Sequence, residues 1–286
     1  MPDSQETALG IDIGGGHCRA AVVDASGAIL SFHTCKTPDQ RDQFLDAIGN
    51  LARTAVDSTP TSRDTIGIAL PGIVDPRSGT MRCAVNLPFL EGADVAALLH
   101  SALRRPVRIE IDVNAAAFAQ WRRCRDRPRR FAYLSIGTGI GVGVVLDGQL
   151  VRHTDGGGGH WGHVPVDTSR EAPVCRCGAR GCLEAVAAGP AWDRTDSSAT
   201  DSLEKRITAL AIGCLQIAAV YAPDVIALGG GLIDHRPELV QTVAQRVNNL
   251  RGNVSPPSMA IERAVLSSDE AGVIGAALLC DPADRR

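Results

Sequence analysis

The sequence predicts an α/β protein built as two similar lobes, and three observations carry that expectation. A strand, a glycine corner and a second strand occur near the N-terminus and again in mid-chain, over residues 8–24 and 131–146. Self-similarity of this kind marks an internal duplication. Elsewhere strands run into helical patterns, at residues 106–118 and 222–250. At 286 residues the chain is long enough for two lobes. Its 44% hydrophobic and 21% charged residues are ordinary for a globular protein.

The elements follow in order. Residues 8–13 form a short apolar strand that Gly14, Gly15 and Gly16 turn into a second strand at 17–24; Ala25-Ser26-Gly27 then turns the chain into 28–30. Dinucleotide and P-loop motifs both need a helix after their glycines, so this order excludes them. The second copy is a strand at 131–136, the corner Gly137-Thr138-Gly139-Ile140-Gly141, and a strand at 142–146. Asp147-Gly148 then makes a hairpin turn into 149–151. Glycine corners bring backbone N–H groups to phosphate oxygens without a Cβ in the way. Gly14, Gly15, Gly16, Gly137, Thr138 and Gly139 are therefore candidate phosphate-binding residues, with plain structural turns as the alternative. Asp12, beside the first corner, is placed to hold a magnesium ion through water.

A third corner, Gly229-Gly230-Gly231, ends the strand at 222–228 and precedes a helical pattern over 237–250. Its open backbone suits a flat adenine or ribose, or a simple strand-to-helix turn. Between the two hairpins a strand ends at Ile111 and a helix opens at Asn114, leaving Asp112 at the junction. There it can take a proton from a hydroxyl or serve as a first-turn helix acid. The basic run from Trp121 to Arg130 closes that helix; without interleaved aromatics it does not read as a nucleic-acid patch. Residues 153–159 form a glycine-rich loop leading to His160, and 194–204 an exposed connection. A helix at 207–221 is apolar over much of its circumference.

His163, Cys175, Cys177 and Cys182 supply four soft ligands in one segment. That is the count of a closed tetrahedral zinc site, and Gly178 and Gly181 allow the loop to fold tightly. Four protein ligands leave no position for water, so the zinc would be structural; three incidental buried thiols are the other reading. Glu184 follows at once. Net charge of -3 gives no reason to expect nucleic acid or an anionic membrane as partner. No apolar run reaches membrane-span length, and residues 1–7 hold no signal-peptide core. Nine cysteines, an odd number, point to a reducing cytoplasm.

Taken together these residues resemble the ROK family of sugar kinases and repressors. The resemblance rests on Asp12-Ile-Gly-Gly-Gly, Pro71-Gly-Ile-Val-Asp75, Asn86-Leu-Pro, Asp112-Val-Asn-Ala-Ala-Ala, Gly137-Thr-Gly-Ile-Gly-Val-Gly and Gly162-His163. It extends through Cys175-x-Cys-Gly-x-x-Gly-Cys-Leu-Glu184, Ala188-Gly-Pro-Ala, Leu228-Gly-Gly-Gly and Asp269-Glu-Ala-Gly-Val-Ile-Gly-Ala-Ala277. It implies the actin-like, hexokinase-like two-lobed fold with ATP and a hexose in the interlobe cleft. Residues 1–111, joined by the helix of 269–286, would form the small lobe, and 112–268 the large one. Asp112 would take the proton from the sugar hydroxyl, usually O6, while magnesium and the corner amides neutralise the transferring phosphoryl group. Gly72, Asn86, His160, His163 and Glu184 would line the sugar pocket, with zinc orienting His163 and Glu184. A homodimer is implied as well. The repressors of the family carry a helix-turn-helix ahead of the first corner, where this sequence has ten residues before Ile11 and a negative net charge, so DNA binding is not expected.

Departures from the family pattern bear on the substrate. Ile111 stands where the family usually has Asn, His160 where it has Glu, Gly16 where it has Thr, and His17 where it has Lys. Two usual polar contacts to the sugar are thus altered. The expectation is an amino or otherwise modified hexose, such as kanosamine (3-amino-3-deoxyglucose), with glucose, N-acetylmannosamine or N-acetylglucosamine as the alternative substrate. A catalytically silent sugar sensor is the reading from another class.

Overall fold

The computed structural model describes residues 6–84, 86–153, 156, 158–192, 199–252 and 259–280. Its strands are Thr7–Ile13 (β1), His17–Asp24 (β2), Ile29–Lys36 (β3), Ile66–Leu70 (β4), Ile73–Val74 (β5), Met81–Cys83 (β6), Val107–Ile111 (β7), Arg130–Ile136 (β8), Ile140–Leu146 (β9), Gln149–Leu150 (β10), Val225–Gly229 (β11) and Ala260–Arg263 (β12). Its helices are Arg41–Ser58 (α1), Val95–Leu103 (α2), Asp112–Arg123 (α3), Leu183–Ala187 (α4), Gly189–Trp192 (α5), Ala199–Tyr221 (α6), Gly231–His235 (α7), Glu238–Leu250 (α8) and Ser268–Leu278 (α9). Two compact units result. The first joins Met1–Arg123, Gln149–Gly158 and Asp269–Arg286; the second joins Cys124–Gly148 and Gly159–Ser268.

In the first unit the sheet runs β3-β2-β1-β4-β7. β1 pairs antiparallel with β2 from Thr7↔Asp24 to Ile13↔Cys18, and parallel with β4. Leu9, Ile11 and Ile13 of β1 and Ile66, Ile68 and Leu70 of β4 are all buried. Such unbroken apolar runs belong to central strands covered on both faces. β3, at the edge, alternates half-buried and exposed positions instead. α1 brings Phe44, Ile48, Leu51, Ala52 and Ala55 to this core at helical spacing. Each large side chain so buried contributes about 1.5–3 kcal/mol. α2 is capped by Asp94, whose Oδ1 accepts the N–H of Ala97 at 2.9 Å.

α9 lies against β1, β4 and α3. Side chains at Gly10, Gly67 or Gly275 would strike the backbone of Val273, Ala276 or Ala115, so these elements meet nearly backbone to backbone. That contact sets the division of the chain. The lobes were expected to part between residues 111 and 112; the units part after Arg123, because α3 packs with β4, β7 and α9. Gln149–Gly158 also belongs to the first unit rather than the second.

The second unit repeats the pattern. Its sheet has β9-β8-β11-β12 in order, with β8 antiparallel to β9 and β11 parallel to both β8 and β12. This is the arrangement of β2-β1-β4-β7, so the duplicated hairpins of the sequence become a duplicated topology. α6 and α8 pack together over this sheet. α8 turns Leu239, Val240, Val243 and Val247 inward. α6 begins at Ala199, so the described part of the expected connection at 194–204 is helical. The apolar spacing Leu203, Ile207, Leu210, Cys214 and Ile217 extends the helix there. Residues 193–198 lie outside the described residues. No described helix is long and apolar enough to cross a membrane.

Candidate active site

In the first unit Asp12 sits next to last in β1, where the strand is buried on every side, and is itself 9% exposed. The missing side chain of Gly272 makes room for it: a Cβ there would lie 2.7 Å from Asp12 Cγ. Arg19, the cross-strand partner of Asp12, places Nη1 3.7 Å from Asp12 Oδ2 and donates from Nη2 to Asp269 Oδ1 at 2.5 Å. Asp112 opens α3, and its Oδ1 accepts the N–H of Val113 at 2.7 Å. That contact is not the bond to the second or third helical N–H that a cap makes.

Asp12 feels the charge of Asp112. Burial, then the charge of Asp112, pushes Asp12 up to about 7, and Arg19 opposes the rise. Burial also raises Asp112, offset in part by the Val113 N–H. Two sheltered carboxylates, of which only Asp12 has an arginine beside it in the ion pairs described, form a site short of positive charge, which suits an oxygen-liganded divalent cation.

The first glycine corner stands beside them. Gly14 N–H donates to His17 O at 2.9 Å, and Thr37 ties the corner from β3's far end: its Oγ1 donates to Gly14 O at 2.6 Å and its N–H to Gly16 O at 3.0 Å. Asn86 lies against Gly15, 3.1 Å from where a Cβ would be, while Gly16 faces open space. Gly72 takes φ of 110° and packs on Cys83 O, where any side chain would collide. The structure thus gathers Asp12, Asp112, Gly14–Gly16 and Asn86 in the first unit, with Gly72 seated on β6.

In the second unit Gly137 N–H donates to Gly139 O at 2.9 Å, and Gly189 N–H to Gly137 O at 2.8 Å, closing the second corner. Gly137 adjoins Gly231 of the third corner, whose Gly229 packs on Tyr133 and Ala264 and whose Gly230 packs on Ile136; Gly231 itself is open. Thr138 is exposed at the tip. Glu184, in the first turn of α4, sits under the second corner, its Oε2 accepting the N–H of Ile140 at 3.1 Å.

The ligand atoms of His163, Cys175, Cys177 and Cys182 lie within 4.8 Å of one another. Cys175 Sγ is 3.5 Å from His163 Nδ1, and Cys177 Sγ is 3.7 Å from Cys182 Sγ. A zinc ion with arms of about 2.3 Å to sulfur and about 2.0–2.1 Å to nitrogen spaces tetrahedral ligands about 3.5–3.8 Å apart, so the donor set fits. Burial and the neighbouring sulfurs push Cys182 up to about 12, a repulsion among thiolates that a divalent cation offsets. Glu184 Oε1 lies 4.0 Å from Cys175 Sγ.

His160 stacks on His163 with ring centroids 6.3 Å apart and planes at 20°. Its Nε2 is buried and has no partner among the described residues. Burial and the neighbouring His163 lower its pKa against the pull of Glu184, so the ring is neutral near pH 7. A buried, unmet nitrogen of this kind costs about 1–3 kcal/mol unless a ligand meets it. Thr154, Asp155 and Gly157 of the loop before it lie outside the described residues.

Comparisons with known proteins bear on this arrangement. The profile of the ROK family matches residues 8–195 and 192–282. An N-acetyl-D-glucosamine kinase of Escherichia coli is 30% identical over 302 residues, covering 94% of this chain and 98% of its own. The structure of a ROK hexokinase from Thermus thermophilus superposes with a TM-score of 0.82 at 30% identity, covering 95% of this chain and 97% of that one. A ROK family glucokinase from Streptomyces griseus, in complex with glucose and AMPPNP, superposes with a TM-score of 0.79 at 25% identity, covering 96% and 98%.

Proposed function

The chain belongs to the ROK family, and from that membership we propose that it is an ATP-dependent sugar kinase, transferring the γ-phosphate to the 6-hydroxyl of a hexose. The observation that carries the proposal is the pair of sheltered carboxylates, Asp12 and Asp112, beside a glycine corner. Asp112 is the general base: it removes the hydroxyl proton as the oxygen attacks phosphorus, and its raised pKa makes it the stronger acceptor. Asp12 would hold magnesium, which when bound would supply charge neutralisation at the phosphates. The corners Gly14, Gly15, Gly16 and Gly137, Thr138, Gly139 cradle the phosphates; the N–H groups of Gly14 and Gly137 close the corners themselves, and those of Gly15, Gly16, Thr138 and Gly139 donate to the phosphate oxygens, while Gly229, Gly230 and Gly231 lie along the adenosine. ATP as donor is supported by the AMPPNP complex of the Streptomyces relative.

On the sugar side, Gly72, Asn86, His160, His163 and Glu184 hold the ring hydroxyls. His163, Cys175, Cys177 and Cys182 would hold a structural zinc that fixes His163 and Glu184 in place. The substrate is an amino or otherwise modified hexose such as kanosamine. Ile111 offers no amide to the ring, and the neutral His160 presents one unmet nitrogen instead of a carboxylate. A site that leaves buried polar groups unpaired discriminates strongly between sugars differing by one group.

The test is ADP release with magnesium-ATP over glucose, mannose, fructose, N-acetylmannosamine, N-acetylglucosamine, glucosamine and kanosamine. Expected is a kcat/KM on one amino hexose at least about tenfold above that on glucose. Preference for glucose contradicts the amino-sugar assignment. Sugar binding with no ADP release from any of the seven makes the protein a silent sensor.

A further inference from the structure

Arg176 stands between two cysteines of the metal cluster and is used by none of the roles above. The turn that carries it is tightly made: Cys175 N–H donates to Ala179 O at 2.7 Å, Gly178 N–H to Cys175 O at 2.9 Å, and Val174 bridges Arg180. Its backbone is therefore fixed on both sides by groups that converge on the cluster. From there the side chain reaches to the second glycine corner, where Nη2 donates to Thr138 O at 3.2 Å. Glu184 Oε1 is 4.0 Å away, and the other Glu184 oxygen is taken by the Ile140 N–H.

A guanidinium has five N–H donors in a rigid fork, and the bond to Thr138 uses one. The Arg176 side chain is 52% exposed, so its remaining donors face solvent at the rim of the corner. An ion pair this open contributes little to stability, which argues against a purely structural purpose. Residues 137–139 carry no charge of their own, and the one lysine of the second unit, Lys205, is bound to Asp167 at 2.6 Å. Arg176 is thus a cation brought to a bare backbone corner, with the fork that matches phosphate oxygens in pairs.

We propose that Arg176 grips the β- and γ-phosphates of the nucleotide at the second glycine corner, and that the metal-cluster loop holds it there. The inference rests on the kinase reading above. The experiment is calorimetric titration of ATP, ADP and AMP into the full-length wild type, Arg176→Ala and Arg176→Lys, with zinc content and sugar KM measured in parallel. Expected is an ATP affinity lowered about 10- to 100-fold in Arg176→Ala, partly regained in Arg176→Lys. AMP affinity, sugar KM and zinc content stay as in the wild type. ATP affinity within twofold of wild type in Arg176→Ala, in an enzyme whose wild type turns over, overturns the inference alone. Equal losses for ATP and AMP also overturn it. A wild type that binds no ATP overturns this inference and the kinase reading together.

Discussion

A carboxylate buried as Asp12 is, in a field shared with Asp112, holds its proton more tightly in the folded chain than in the unfolded one. Its pKa stands at about 7 against 3.8 without the fold. The stabilisation from that bound proton is complete below about pH 4 and is lost as pH rises through about 7. In magnesium-free buffer, stability should therefore fall between pH 4 and pH 7, with Asp112 acting in the same direction. Asp12→Asn should remove most of this slope. The variant should match wild type near pH 4 and exceed it at pH 8, by on the order of 2–4 kcal/mol in urea unfolding. Parallel stability curves for the two proteins would show that Asp12 carries no such burden. Arg19 tempers the burden, yet nothing in the sequence singles it out. Its role depends on the register Asp12↔Arg19, which the turn at Gly14–Gly16 sets and which the side-chain pattern does not announce.

α9 shows how an element far along the chain prepares the site at its beginning. Gly272 lies over Asp12, where a methyl group would come 2.7 Å from the carboxyl carbon. In an exposed helix, replacing glycine by alanine gains about 1 kcal/mol. Here overpacking costs about 1–3 kcal/mol, because the buried Asp12 carboxyl must shift away from its place beside Arg19, so the loss wins. Gly272→Ala should lower the melting temperature by several degrees and reduce kcat/KM by more than about tenfold. A variant more stable than wild type, with unchanged turnover, would mean that α9 does not press on Asp12. The helix itself is visible in the sequence, but its seat is not. Its apolar residues surround it without a marked stripe, and the partners Gly10, Gly67 and Ala115 are named only by close approach in space. The cluster of His163 and three cysteines was the more legible element, because these four residues lie close in sequence at a spacing that metal-ligand chemistry makes recognisable. Thr37 and Arg176 were missed for the opposite reason: each acts on a glycine corner distant in sequence.

At the scale of the whole molecule, two units share one strand topology, and the glycine corners of the sequence sit at the β1–β2 and β8–β9 turns. The duplication was legible because short strands and glycine turns are local signals. The division of the chain was less so. α3 follows the junction at Asp112 and reads as the start of something new, while its packing with β4, β7 and α9 keeps it in the first unit. The consequence is that Asp12 and Asp112 are held by a single packed body. The measurement that bears most directly on this is the fate of phosphorus in one reaction, followed by NMR with magnesium-ATP and the best sugar of the panel. Expected is one new phosphomonoester coupled to the two protons on C6, formed in equal amount with ADP, and slowed by about 10³-fold in Asp112→Asn. ADP formed without a sugar phosphate, or full turnover in Asp112→Asn, would contradict the assignment of this chain as a sugar 6-kinase with Asp112 as its base.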